Sequence, residues 1–303
     1  MWLAARHDVL LISADSRQVY RGFDVGTAKP TREELKRVPH RGIDVVDPTE
    51  RYSAAAWVTM ARAAIAETHA SHRTPVIVGG TGFYVSALFQ PLWEEPELDA
   101  KARRRLQSAL DGMSLEELRR WCERLDPARA HLGRTQLLRA IEIALMTGRR
   151  ISDLHASSAK GPSYRPRYLL VDPGLQLPTR IAARAAGMID GGWLVEVHGL
   201  LKTVPESAPA WNAAGYRTIR QLPLGEIDRT TALERVTIDT RQFAKRQRTW
   251  FRNQLDNSRV ERLVSDAPGW EDAVERWFTE ASSTMPEARS TKHEAPSTKH
   301  EAR

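Results

Sequence analysis

Three stretches of this chain carry residues whose types and spacing could do chemistry. Asp15 lies in Ser13-Ala14-Asp15-Ser16-Arg17-Gln18-Val19-Tyr20-Arg21-Gly22, directly after the apolar run 9–12. A short run with β-branched members and polar residues behind it predicts a buried parallel strand that delivers Asp15 to its carboxyl end. That edge is where open α/β sheets bind ligands. A carboxylate there either caps the next turn or takes a proton from a bound group, and the residue type leaves both readings open. The run 74–78 followed by Gly79-Gly80-Thr81-Gly82 repeats the arrangement as a second buried strand, a glycine-rich turn and a helix start at Phe83-Tyr84-Val85. Thr81 could cap that helix, and four such residues by themselves mark no more than a tight turn. The third stretch is basic. Along a helix over 230–253, Arg241, Lys245, Arg248 and Arg252 fall within about 60° of one another, with Leu233, Val236, Thr240, Phe243 and Trp250 on the opposite side. Four cations with no interleaved acid repel one another, which favours phosphate contact over a merely solvated face.

The elements that must hold these residues follow from periodicity and capping. Residues 44–48 read as a turn, and Ser53 caps a helix to about His69 whose Trp57, Met60, Ala61, Ala64 and Ile65 share one side. Strand, helix, strand in this order argues for a parallel sheet. From Pro91 the character changes: 94–97 is acidic, and the Arg-rich helical segments 99–110, 114–125 and 135–146 follow with no strand between them. We read 91–160 as a helical insertion into a discontinuous α/β core formed by 1–90 and 161–283. Residues 157–166 form a polar linker, 168–172 a strand expected to return the chain to the sheet, and 177–190 and 192–201 helices. In the tail, Ser-Thr-Lys-His-Glu-Ala occurs twice, at 290–295 and 297–302. A polar repeat without an apolar face cannot offset its ordering entropy, so 284–303 is expected to be disordered.

Composition narrows the partners. Lys and Arg number 45 against 38 Asp and Glu, a net charge of +7 that suits a polyanion such as nucleic acid. Cys122 is the only cysteine, which excludes an intramolecular disulfide and a cysteine-rich metal site and suits a reducing cytoplasm. No run approaches the roughly 18 apolar residues of a membrane span, and no signal peptide is legible, so a soluble cytoplasmic protein is expected.

The Asp15 block, continued by Asp24-Val25-Gly26-Thr27-Ala28-Lys29-Pro30, closely resembles the tRNA dimethylallyltransferase family. Four further stretches match that family in order. They are Val78-Gly79-Gly80-Thr81-Gly82-Phe83-Tyr84, then Gln136-Leu137-Leu138-Arg139-Ala140-Ile141-Glu142 with Thr147-Gly148-Arg149, then Gly215-Tyr216-Arg217, and finally 240–247 with Thr249-Trp250-Phe251-Arg252. The resemblance spans about residues 1–255. It implies an α/β fold of the phosphate-loop nucleotide-kinase type, with a mostly parallel sheet flanked by helices. The implied reaction moves a dimethylallyl group from its diphosphate to N6 of adenosine 37, next to the tRNA anticodon. Asp15 is then the general base, Thr81 orients substrate, Arg217 stabilises the diphosphate, and Mg²⁺ is the expected ion. By the same resemblance Asp15, Ser16, Arg17, Gln18 and Thr81 touch the target nucleotide and its neighbours. Arg103, Thr135, Gln136 and Arg139 contact the RNA, and the cations at 241, 245, 248 and 252 hold the anticodon stem through phosphates. A monomer is expected.

One departure concerns the start. The family's first strand and its GxxxxGK[ST] loop have no counterpart here, and no Gly-Lys dipeptide occurs anywhere in the chain. Residues 1–6 correspond to the end of the helix that follows that loop. Either the start lies roughly 20 residues upstream of Met1, or the chain is a loopless, non-catalytic tRNA-binding remnant. As written, the polypeptide is expected to bind prenyl diphosphate poorly. A small-molecule kinase of the same fold class is a further alternative, but it leaves the basic helix unexplained. In 131–135 the family pattern fits in two registers one residue apart, so Thr135 and Gln136 compete as the RNA contact.

Overall fold

The computed structural model describes residues 1–89, 96, 98–157, 164–265 and 267–283. The expectations for the acidic stretch 94–97 and the linker 157–166 fall largely outside these residues, and the tail 284–303 falls wholly outside them. The chain divides into two compact units, one of 1–166 with 175–255, the other of 167–174 with the residues from Asp256 onward.

The larger unit begins with a 3₁₀ turn at Leu3–Ala5 and the strand β1, Val9–Ser13, all five residues of which are buried. Then come α1 (Arg32–Arg37), β2 (His40–Arg41), α2 (Ala54–Ala70), β3 (Thr74–Val78) and α3 (Gly82–Phe89). The strands form a parallel sheet in the order β2-β1-β3, with Val9 opposite Thr74 and Ser13 opposite Val78. Parallel register puts the C-terminal ends of β1 and β3 side by side, so the turns after them meet. Ser53 caps α2 by accepting from the Ala56 N–H at 3.1 Å. Trp57, Val58, Ala61, Ala64 and Ile65 pack this helix on Leu10 and Ile12, and Trp57 Nε1 donates to the Ser13 carbonyl at 2.8 Å.

The insertion holds α4 (Ala100–Asp111), α5 (Leu115–Leu125), α6 (Arg134–Thr147) and α7 (Ile151–Ser157), one helix more than expected. Ser114 and Glu117 close a reciprocal capping box at the start of α5. Leu118, Cys122, Leu137, Ile141, Ile143 and Ile151 give these helices an apolar core of their own.

The strand β4, Tyr168–Asp172, lies where the sequence predicts it, but its pairing differs from expectation. It pairs in parallel with β5 (Val260–Val264), from Tyr168 opposite Val260 to Asp172 opposite Val264, as a separate two-stranded sheet. A strand's existence follows from local pattern, whereas its partner is a long-range choice. In the larger unit the chain continues as α8 (Leu177–Met188), α9 (Leu194–Leu200), α10 (Tyr216–Ile219) and α11 (Arg229–Gln254). Phe23, Trp193, Trp211 and Tyr216 centre a third apolar core there. β5 and the last helix, α12 (Trp270–Ser283), belong to the smaller unit. Among the described residues no helix is long and apolar enough to cross a membrane.

Candidate active site and RNA interface

The turn after β1 and the loop after β3 are stitched together. The Ala14 N–H donates to the Val78 carbonyl at 2.7 Å, and the Thr81 N–H returns to the Ala14 carbonyl at 3.0 Å. The Ser16 N–H donates to Thr81 Oγ1, also at 3.0 Å. A Cβ on Gly79 would sit 2.3 Å from the Ala14 carbonyl oxygen, so only glycine permits this approach. Asp15, half-buried, accepts from the Arg17 N–H at 2.8 Å through Oδ1, which fixes its carboxylate at the turn and leaves acceptor capacity for a ligand. The capping and proton-accepting readings of Asp15 are therefore compatible. Thr81 directs its hydroxyl at Ser16 rather than serving only its own helix.

Other residues predicted for the site have different surroundings. Gln18 bonds inward, with Oε1 accepting from Ser13 Oγ at 3.0 Å and Nε2 donating to the Thr27 and Ala28 carbonyls at 3.3 and 3.2 Å. Arg17 is half-buried. Arg217 is exposed on α10 and donates to Asn212 Oδ1. Among the described residues no hydrogen bond or ion pair joins Arg217 to Asp15, Ser16 or Thr81.

Sequence reasoning missed the groups that hold loop 23–29. Glu196 Oε2 accepts from the N–H groups of Asp24 and Val25 at 2.9 and 2.7 Å, and its Oε1 accepts from the Tyr216 hydroxyl at 2.5 Å. The same hydroxyl accepts from the Gly26 N–H at 3.1 Å. Burial, then the Glu196 charge beside it, pushes the Tyr216 phenol well above its usual range. Lys29 Nζ, nearly buried, bonds Asp24 Oδ1 at 2.6 Å and Asp44 Oδ1 at 2.5 Å. An acid on a largely apolar helix, as Glu196 is on α9, was the available signal.

The helix α11 joins the basic surface to the Thr81 loop. Arg241, Lys245, Arg248 and Arg252 are all exposed. On another face Gln247 Nε2 donates to the Gly80 carbonyl at 2.9 Å. A Cβ on Gly82 would meet the Trp250 ring at 2.1 Å, so glycine is required where this helix docks. Phe243, expected on the core side, is 39% exposed, because the buried positions of α11 are Ala232, Val236 and Thr237 in its first half. In the insertion, Thr135 and Gln136 are exposed in the first turn of α6. Arg103 and Arg139 converge on Glu142, a residue the sequence reading passed over except as part of a motif.

Comparison with known proteins agrees with this architecture. The family described as IPP transferase matches residues 18–254. The tRNA dimethylallyltransferase of Thermosynechococcus vestitus is 38% identical over 260 residues, covering 84% of this chain and 82% of that protein. The tRNA dimethylallyltransferase of Heliobacterium modesticaldum is 38% identical over 292 residues, covering 93% and 90%. The crystal structure of the tRNA isopentenylpyrophosphate transferase of Bacillus halodurans is 31% identical, with a TM-score of 0.64 over 92% of this chain and 89% of that one. With its stitched strand ends, docked basic helix and a family match over most of its length, this chain belongs to the IPP transferase family.

Proposed function

We propose that this chain transfers the dimethylallyl group of dimethylallyl diphosphate to N6 of adenosine 37 in tRNA. The reading rests on one arrangement: the turn carrying Asp15 is hydrogen-bonded to the loop carrying Thr81, and the helix with the exposed cations is docked on that loop. In the reaction the N6–carbon bond forms as the carbon–oxygen bond to diphosphate breaks. An aromatic amine is a weak nucleophile, so the Asp15 carboxylate takes the N6 proton as the new bond forms. Thr81 orients the substrate beside it, and Arg217, through donors beyond its bond to Asn212, meets the leaving diphosphate.

Among the described residues there is no group of three or more His, Cys, Asp or Glu that could cage a metal. Mg²⁺ is commonly held by one or two protein oxygens together with substrate phosphates, so the ion fits here as one carried on the diphosphate. When bound it would neutralise leaving-group charge. The exposed face of α11 contributes affinity through backbone phosphates and little sequence information. The target base leaves its stack to reach Asp15, as enzymes acting on bases require. We place the protein in the cytoplasm as a monomer.

Incubating the chain with tRNA, dimethylallyl diphosphate and Mg²⁺, then digesting the RNA and resolving its nucleosides by mass spectrometry, tests this reading. Prenylated adenosine is the expected product, with weak saturation by dimethylallyl diphosphate because the 303 residues contain no GxxxxGK[ST] loop to cradle it. Tight tRNA binding without that product would identify a binding-only protein, and failure to bind tRNA would overturn the reading altogether.

A further inference from the structure

Glu196 on α9 and Tyr216 on α10 meet the loop 23–29 at three consecutive backbone N–H groups. Glu196 Oε2 accepts from Asp24 and Val25, while the Tyr216 hydroxyl accepts from Gly26 and donates to Glu196 Oε1. Trp193, 1% exposed, touches the same two elements. A Cβ on Gly26 would meet its indole at 2.2 Å, and a Cβ on Gly215, at φ +82°, would meet it at 2.4 Å. Loop and helix start are therefore seated on one ring. The loop in turn supports the Asp15 turn. Gln18 Nε2 donates to the Thr27 and Ala28 carbonyls, its Oε1 accepts from Ser13, and Lys29 Nζ donates to the Tyr20 carbonyl at 2.5 Å. Arg217 directly follows Tyr216 on α10. Among the described residues Asp15 and Arg217 share no hydrogen bond or ion pair, so their relative placement is transmitted through what lies between them. The indole sets the distance by contact. Directional bonds to a carboxylate, stronger than those to a neutral acceptor, set the register.

We propose that Glu196 is a positioning residue for the transfer reaction, and that with Tyr216 and Trp193 it fixes the loop supporting Asp15 to the helix carrying Arg217. This rests on the prenyl-transfer reading above. The carboxylate acts on backbone and on Tyr216 alone, and so holds the two ends of the site at one separation. A displacement of about 1 Å between groups that act on one substrate can cost about 10²-fold in rate.

The test compares Tyr216→Phe and Glu196→Ala with the wild type. Prenyl transfer to an anticodon stem-loop RNA is measured per folded molecule, with Mg²⁺ and a fixed, subsaturating concentration of dimethylallyl diphosphate. Stem-loop affinity is read by fluorescence anisotropy, and amide exchange is followed over residues 14–29. Tyr216→Phe keeps the ring and removes one hydroxyl; it is expected to lower the rate about tenfold, and Glu196→Ala to lower it further. Affinity should stay within about twofold, and amide protection should fall over 14–29 but not in β3. If Glu196→Ala does not fold, Glu196→Gln, which keeps one acceptor oxygen, is expected to lose about threefold in rate. Rates close to wild type, an affinity loss equal to the rate loss, or undiminished protection over 14–29 would each overturn the proposal. Wild-type protein that forms no prenylated adenosine would overturn the reaction reading itself, whereas an active wild type with unaffected variants overturns only this inference.

Discussion

The Asp15 site and the Glu142 cluster achieve position by opposite means. At the first, neighbouring strand ends are joined by hydrogen bonds of neutral groups, and the close approach is set by Gly79, where any side chain would meet the Ala14 carbonyl. At the second, helices 100–111 and 134–147 meet where Arg103 and Gln107 of one bond the buried Glu142 carboxylate of the other, which also pairs with Arg139 on its own helix. Backbone geometry is indifferent to salt and to moderate pH, whereas ion pairs respond to both. The comparison teaches a division of labour. The Asp15 turn is anchored by the sheet, and the helices of the insertion are anchored by charge.

Each half of this comparison can be broken separately. The largest effect is expected from Asp15→Asn, which should lower prenyl transfer by about 10²-fold to 10⁴-fold while stem-loop affinity stays within twofold of wild type. Equal losses of rate and affinity would mean that Asp15 is an RNA anchor rather than a base. Next, Gly82→Ala drives a Cβ into the Trp250 ring and should destabilise the protein by about 1–3 kcal/mol in a denaturant titration, with no change in the salt dependence of RNA binding. An unaltered midpoint would show that α11 is not docked on this loop. Lys245→Ala should weaken RNA binding modestly and uniformly across sequences, reducing the salt slope by about one. A loss of sequence preference instead would place this residue at a base.

The smallest and most local effect is acid sensitivity of the insertion. Burial would raise the Glu142 pKa, but hydrogen bonds and charge from Arg103 and Arg139 outweigh it and hold the carboxyl below its ordinary 4.5. The stability from this pair is therefore present above pH 4.5 and lost as pH falls through the lower folded value. Burial likewise keeps the His155 pKa below 6.5, so the unfolded chain gains a proton first and stability begins to decline below that pH. Amide exchange monitored as pH is lowered from 7 should show α4 to α7 losing protection before β1 and β3. Simultaneous loss would remove the distinction between the two regions.

Much of the site was legible because local rules govern it. An apolar run ending in Ser-Ala-Asp predicts β1, Ser53 and Ser114 mark helix starts, and the 3.6-residue period puts the cations of α11 on one side. Phe243 shows the limit of periodicity: a position can face the core direction of a helix and still be exposed where no core continues beneath it. The inward bonds of Gln18 and the clamp of Glu196 on Asp24 and Val25 join residues 5 to 172 positions apart, and no local pattern encodes them.

By itself the sequence determined β1, β3 and β4 but not β2 or β5, most of the longer helices but not α12, the basic face and the motifs that identify the family, since these depend on short-range sterics and on the spacing of apolar and charged side chains. Tertiary structure alone decided that β4 pairs with β5, that Gln247 and Trp250 seat α11 on the glycine loop, and that Arg103 and Arg139 share one buried acid. Those choices turn on which distant surfaces exclude water together and which buried polar groups find partners there, and a linear chain leaves both undecided until it has folded.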